Sequence, residues 1–197
     1  MARLAIFIDG GYIDKISWDE FGVRPDFDKL RQEIVAAVRA RTADPIDLLR
    51  TFYYHCPPYQ SNPPTREEAD RFARSRSFYQ ALRRLGSFEV REGRLAHRGY
   101  DGAGNPIFQQ KRVDLLLGLD FALLAGKNQI THAALLTGDS DLIPAVIVAK
   151  QEGVSVWHIH GPRRTSRGES TYSQELWESC DERLELDSAL MGRVARS

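Results

Sequence analysis

The sequence predicts an α/β protein, a three-layer α/β/α sandwich around a central, mainly parallel sheet. Residues 2–8, 132–137 and 154–160 are short apolar runs, as expected of strands buried on both faces. Segments with helical periodicity stand between such runs, and that alternation is the pattern of parallel βαβ units. Right-handed crossovers bring the carboxyl ends of the strands to one edge of the sheet, where open α/β folds bind ligands.

The first run stops at Asp9-Gly10-Gly11, a carboxylate at a strand end with a glycine turn after it. Pro25-Asp26-Phe27-Asp28 opens a helix with Phe27, Leu30, Ile34 and Val38 on one face. Asp44-Pro45 marks a turn, and Leu48 to His55 is the next strand. Four prolines make residues 56–65 a loop, and an arginine-rich helix runs from Thr65 to Leu85 until Gly86 stops it. Ser87 to Leu95 alternates like a strand, and Pro106 to Gln110 is the expected return strand. The glycine-rich segment between them makes residues 87–110 a hairpin arm.

Lys111-Arg112-Val113-Asp114 then opens an apolar helix that Gly126 ends. His132 to Thr137 follows as a strand and gives way to Gly138-Asp139-Ser140-Asp141. Ser140 or Asp141 caps the next helix, with Pro144 in its first turn. Beyond Gly153 come the strand Val154 to His160 and a basic loop with Arg163, Arg164 and Arg167. A helix over Tyr172 to Cys180 and a short strand from Arg183 to Leu186 close a single domain over residues 1–197.

Composition narrows the function classes. The chain is 42% hydrophobic and 27% charged, which argues against disorder. Its net charge is zero, so no global basic field marks a nucleic-acid binder, although an acidic metal site would offset a local basic groove. Cys56 and Cys180 have no paired spacing and give neither a disulfide framework nor a zinc site. The apolar start is cut off at Asp9, too soon for a signal peptide or a membrane span. The expectation is a soluble cytoplasmic protein.

The chemistry lies in the acids. Asp9, Asp139 and Asp141 follow strands and Asp114 opens a helix, so the topology gathers them at one edge. Carboxylates crowded together repel unless a cation joins them, and hard oxygen ligands suit Mg²⁺ or Mn²⁺. Such a site activates water and neutralises charge on a phosphodiester. Lys111 lies three residues before Asp114, on the same helical face, where it would contact the scissile phosphate or orient the acids.

Phe7-Ile8-Asp9-Gly10, Lys111-Arg112-Val113-Asp114 with Asp120, and Thr137-Gly138-Asp139-Ser140-Asp141 with Pro144 resemble the NYN domain. The branch is the LabA-like (DUF88) one of the PIN-like nuclease superfamily, and the similarity covers nearly the whole chain, including the closing Ser173-to-Leu186 segment. The resemblance implies a metal-dependent ribonuclease that leaves 5′-phosphate and 3′-hydroxyl ends. By matching positions, Asp9, Asp114, Asp139 and Asp141 are its metal-site acids, with Thr137 and Ser140 supporting them. The family commonly has Asn where this chain has Tyr12. An Asn there would steady the first carboxylate, and Tyr12 lacks the same reach.

Plainer roles compete with these. Asp139 and Asp141 also suit helix capping. Asp120, six residues after Asp114, points away from it on a helix and is either a supporting acid or a ligand. The three loop arginines would bind a nucleic-acid backbone or simply be solvated. Tyr100 and Phe108 on the arm would stack on bases or cover an interface, and the arm itself either clamps substrate or pairs with a second subunit in a homodimer. His158 and His160 share a strand face, which is usually structural. A haloacid-dehalogenase-type phosphatase needs an acid where Gly11 stands. A catalytically weak or inactive module that binds RNA or protein is the remaining alternative to the ribonuclease.

Overall fold

The computed structural model describes residues 1–102 and 106–196, apart from the side chains of residues 97, 100, 106 and 109–111. The chain runs β1 (Ala2–Asp9), α1 (Gly10–Asp19), α2 (Phe27–Ala40), β2 (Ile46–His55), α3 (Arg66–Arg83) and β3 (Phe88–Glu92). A hairpin of β4 (Arg94–Tyr100) and β5 (Pro106–Lys111) leads into α4 (Val113–Gly126) and β6 (His132–Leu136). A 3₁₀ turn (Ser140–Leu142) continues into α5 (Ile143–Gln151), followed by β7 (Ser155–His160), α6 (Gln174–Ser179), β8 (Glu182–Glu185) and α7 (Ser188–Val194).

Six strands form one sheet in the order β3-β2-β1-β6-β7-β8, with every neighbouring pair parallel. Successive side chains on a strand point to opposite faces, and β1 divides its residues accordingly. Leu4, Ile6 and Ile8 pack with Leu30, Ile34, Tyr53 and Trp157 in one core layer. Ala5 and Phe7 pack with Phe121, Leu135 and Val146 in the other. All of these are buried, and each large side chain contributes about 2 kcal/mol of transfer free energy. The predicted three-layer α/β architecture is therefore present. Among the described residues no helix is long and apolar enough to cross a membrane.

Two expectations need correction. The glycine turn after Asp9 is the start of α1, because the Asp9 carboxylate accepts the Gly11 and Tyr12 amides and caps a helix there. Gly10 is required by close approach: a Cβ would lie 2.5 Å from His55 Cδ2 and 2.6 Å from the Tyr53 hydroxyl. The hairpin arm also starts later than residue 87. Phe88–Glu92 pairs in parallel with β2 as the sheet edge, and the antiparallel partner of β5 is β4. Phe88 and Val90 bury the core-facing side of that edge strand, which gives the same alternation as a hairpin.

Candidate active site

Ile8 of β1 pairs with Leu136 of β6, which sets Asp9 beside Thr137 where the two central strands end. The buried Thr137 hydroxyl contacts both acids that follow: it donates to Asp9 Oδ2 at 3.4 Å and accepts the Asp139 amide at 3.3 Å. Asp9 Oδ1 takes the amides of Gly11 at 3.0 Å and Tyr12 at 3.2 Å. Asp139 Oδ1 takes the Asp141 amide at 2.9 Å and caps the 3₁₀ turn. Each acid thus spends one oxygen as a helix cap. Capping and a place in the acid cluster are combined in one side chain.

Asp114 arrives from the other side, in the first turn of α4. Arg112 before it has φ 74°, a left-handed conformation that costs about 1 kcal/mol in a non-glycine residue and turns β5 abruptly into the helix. Asp9, Asp114 and Asp139 together line a cavity of about 550 Å³, with Tyr12, Lys15 and Gly138. Burial raises the pKa of Asp9, and the charge of Asp114 adds to it against the Tyr12 and Gly11 amides. Burial likewise raises that of Asp114, with Asp139 and then Asp141 adding to it. The acids sense one another as like charges in a partly desolvated space.

The mutual repulsion of these acids and the all-oxygen donor set fit a hard divalent cation. Among the described residues no three His, Cys, Asp or Glu side chains are grouped to enclose an ion. Asp9, Asp114 and Asp139 are the residues that would hold such a cation, with water completing its shell.

The other predicted residues separate into distinct places. Asp141 is exposed, donates its amide to Asp139, and does not line the cavity, although its charge reaches Asp114. Ser140 begins the 3₁₀ turn. Asp120 accepts from the Tyr54 hydroxyl at 3.0 Å and from Arg91 Nε at 3.1 Å, so it ties α4 to β2 and β3. Neither of these partners is one of the site acids. Tyr12 does not reach into the cluster as an Asn would. Its hydroxyl accepts the Gly161 amide at 3.0 Å, and its ring presses on Gly138, where a Cβ would lie 2.7 Å from the ring and 2.5 Å from the Thr171 carbonyl. This explains the glycine before Asp139. Burial raises the pKa of Tyr12, so it stays a neutral phenol.

Lys111 ends β5 immediately before α4, and its side chain lies outside the described residues, as does that of Tyr100. Arg163, Arg164 and Arg167 are exposed. Arg164 donates to the Gly168 carbonyl at 3.1 Å, and Arg167 lines an adjoining cavity with Lys15 and Trp18. Phe108 faces Tyr59 with ring centroids 4.8 Å apart. His158 is buried and donates through Nε2 to the Thr137 carbonyl at 2.8 Å; burial pushes its pKa down to about 4, so it is neutral. Two groups escaped the sequence analysis. Lys15 supplies a cation to the acid cavity, one turn beyond Gly11 on α1, and spacing alone would have found it had α1 been recognised. His55 Nε2 stands 3.3 Å from Asp14 and Nδ1 2.7 Å from the Cys56 carbonyl. Burial opposes charge on His55, but Asp14 and that carbonyl outweigh it and raise its pKa.

A family model described as NYN domain matches residues 3–187 of the chain. No curated protein and no solved structure matches significantly.

Proposed function

Because this chain belongs to the NYN-domain family, a PIN-like ribonuclease family, we propose that it is a metal-dependent endoribonuclease that hydrolyses RNA at the cavity of Asp9, Asp114 and Asp139. The observation that carries this reading is the convergence of those acids, two of them with raised pKa values, on one cavity at the carboxyl edge of the sheet. Mg²⁺ or Mn²⁺ bound by these acids would supply water activation and charge neutralisation at the phosphodiester.

The protein's own groups do the positioning. Two amides and the Thr137 hydroxyl fix Asp9, and Thr137 couples its orientation to Asp139. Tyr12 braces the end of β1 against the end of β7 through Gly161, which holds the cavity wall in place. Lys15 offers a cation to a substrate phosphate, and the exposed Arg163, Arg164 and Arg167 offer further backbone contacts beside it. Lys111, at the end of β5, is proposed to contact the scissile phosphate or orient the acids, and Asp141 to contribute negative charge from outside the cavity.

The test is cleavage of single-stranded RNA with Mn²⁺ or Mg²⁺, beside EDTA and Asp139→Asn controls. Metal-dependent cleavage that the mutant lacks is the expected result; equal cleavage by both proteins, or none across varied RNAs, overturns it. The open grouping of the acids favours a second reading, an RNA-binding module without turnover. RNA bound but left uncut would establish that one.

A further inference from the structure

On the opposite flank of α1 from the acids lies a second cavity, of about 650 Å³. The exposed Trp18 and the half-buried Phe78 present aromatic surface to it, above the buried rings of Tyr53, Tyr79 and Phe27. Arg24, Arg74 and Arg196 line it too, each is exposed, and none has an ion-pair partner among the described residues. The Arg24 guanidinium lies 5.8 Å from the centroid of the Trp18 ring. Tyr53 is fully buried, yet its hydroxyl has no hydrogen-bond partner among the described residues.

This cavity is close to the acids. Tyr53 and His55 line it, and both press on Gly10 so tightly that a Cβ there would lie within 2.6 Å of either side chain. Gly10 follows Asp9, and the Asp9 carboxylate senses the His55 charge. One backbone residue therefore separates the cavity wall from the first acid.

We infer that this cavity is a nucleotide subsite, which takes one base of the RNA strand whose phosphodiester faces Asp9 and holds the adjoining phosphate on Arg24, Arg74 and Arg196. The inference rests on the ribonuclease reading above for its choice of RNA. Three physical points support it. The accessible rings of Trp18 and Phe78 can stack on the π-face of any base and need no particular sequence. Exposed guanidinium groups without an ion-pair partner among the described residues match phosphate, which an apolar ligand would not engage. The acid cavity repels a polyanion, and these arginines add to Lys15 and Arg167 as positive charge near it.

Binding of a short fluorescein-labelled single-stranded RNA in EDTA, followed by anisotropy, tests the subsite without cleavage. Ser75→Trp fills the cavity from α3, and Arg24→Ala with Arg74→Ala removes charge from exposed positions; melting curves check that both variants fold. Each variant should bind about tenfold more weakly, the size of one lost base stack. A single abasic position should reproduce that loss in the wild type and add nothing in Ser75→Trp. Binding within twofold of wild type by both folded variants, or no RNA binding by the wild type, overturns the inference. Quenching of Trp18 fluorescence by uridine or guanosine 5′-monophosphate, with RNA binding indifferent to Ser75→Trp, also overturns it and marks a free-nucleotide site instead. If the variants weaken binding but no metal supports cleavage, the subsite stands and the ribonuclease reading fails. If RNA is cut but neither variant changes its binding, the reverse holds.

Discussion

Asp9 and Asp139 hold equivalent places at the ends of adjacent parallel strands, and the protein treats them differently. Both cap the helical turn that follows. Asp9 accepts two amides and a hydroxyl and has its pKa raised, chiefly by burial. Asp139 is half-buried and accepts one amide, and its own backbone rests on Thr137. The more firmly an acid is held in a desolvated space, the more its charge costs the empty fold and the more a cation gains by binding there. Asp9 is thus the more firmly held of the two acids.

The largest expected effect comes from neutralising each acid. Asp9→Asn and Asp139→Asn should each lower RNA cleavage by more than about 100-fold, beyond the range expected for a supporting residue. Their stabilities should part company. A raised carboxylate pKa means that the folded state favours the neutral form, so Asp9→Asn should melt higher than wild type without metal, by roughly 2–4 °C per kcal/mol gained. Asp139→Asn should gain less. Thermal melts in EDTA and in Mg²⁺ check this, and a larger gain for Asp139→Asn would break the comparison.

Thr137 is the link between the two acids, and cutting it should affect both. Thr137→Val keeps the buried shape but leaves the Asp9 oxygen and the Asp139 amide without their shared hydroxyl. Cleavage should fall by about 10–100-fold with a raised metal requirement. An unchanged metal dependence would show that the two acids act independently. Next in size are the supports behind Asp139. Tyr12→Phe strands the buried Gly161 amide and should cost about 1–2 kcal/mol in denaturant unfolding. If it does not, the ring packing on Gly138 is the whole of the contribution made by Tyr12.

Much of this was legible in the sequence, and the failures have physical causes. β1, β6 and β7 announced themselves because a strand buried on both faces must be apolar throughout, and Asp9 and Asp139 stood out as the acids ending two of them. α1 was hidden because Gly10-Gly11 resembles a turn, while the helix depends on the Asp9 cap and on the fit of Gly10 against Tyr53 and His55 from another strand. Missing α1 also hid Lys15 and the two cavities on its flanks. The place of Asp120 was equally invisible, since Tyr54 and Arg91 meet it only through the tertiary fold. β3 was misassigned because an edge strand and a hairpin strand alternate alike.

The smallest effect concerns His158, which backs Thr137 from β7 through a bond to its carbonyl. Its pKa is pushed by burial to about 4 in the folded protein against 6.5 in an ordinary setting. Between those values the unfolded chain binds a proton that the fold refuses, so acidification favours unfolding; the loss begins near pH 6.5 and is complete near pH 4. At pH 5.5 it amounts to about 1 kcal/mol. Asp9 works in the opposite sense, because its raised pKa adds stability as protons bind to the fold. Denaturant midpoints at pH 7.5 and 5.5 for wild type and His158→Gln separate the two, since Asp9 acts in both proteins and His158 in only one. The wild type should lose more stability than the variant on acidification. An equal loss would mean that the corner under Asp139 tolerates a charge, and that its weaker hold on Asp139 is not offset by a rigid support behind Thr137.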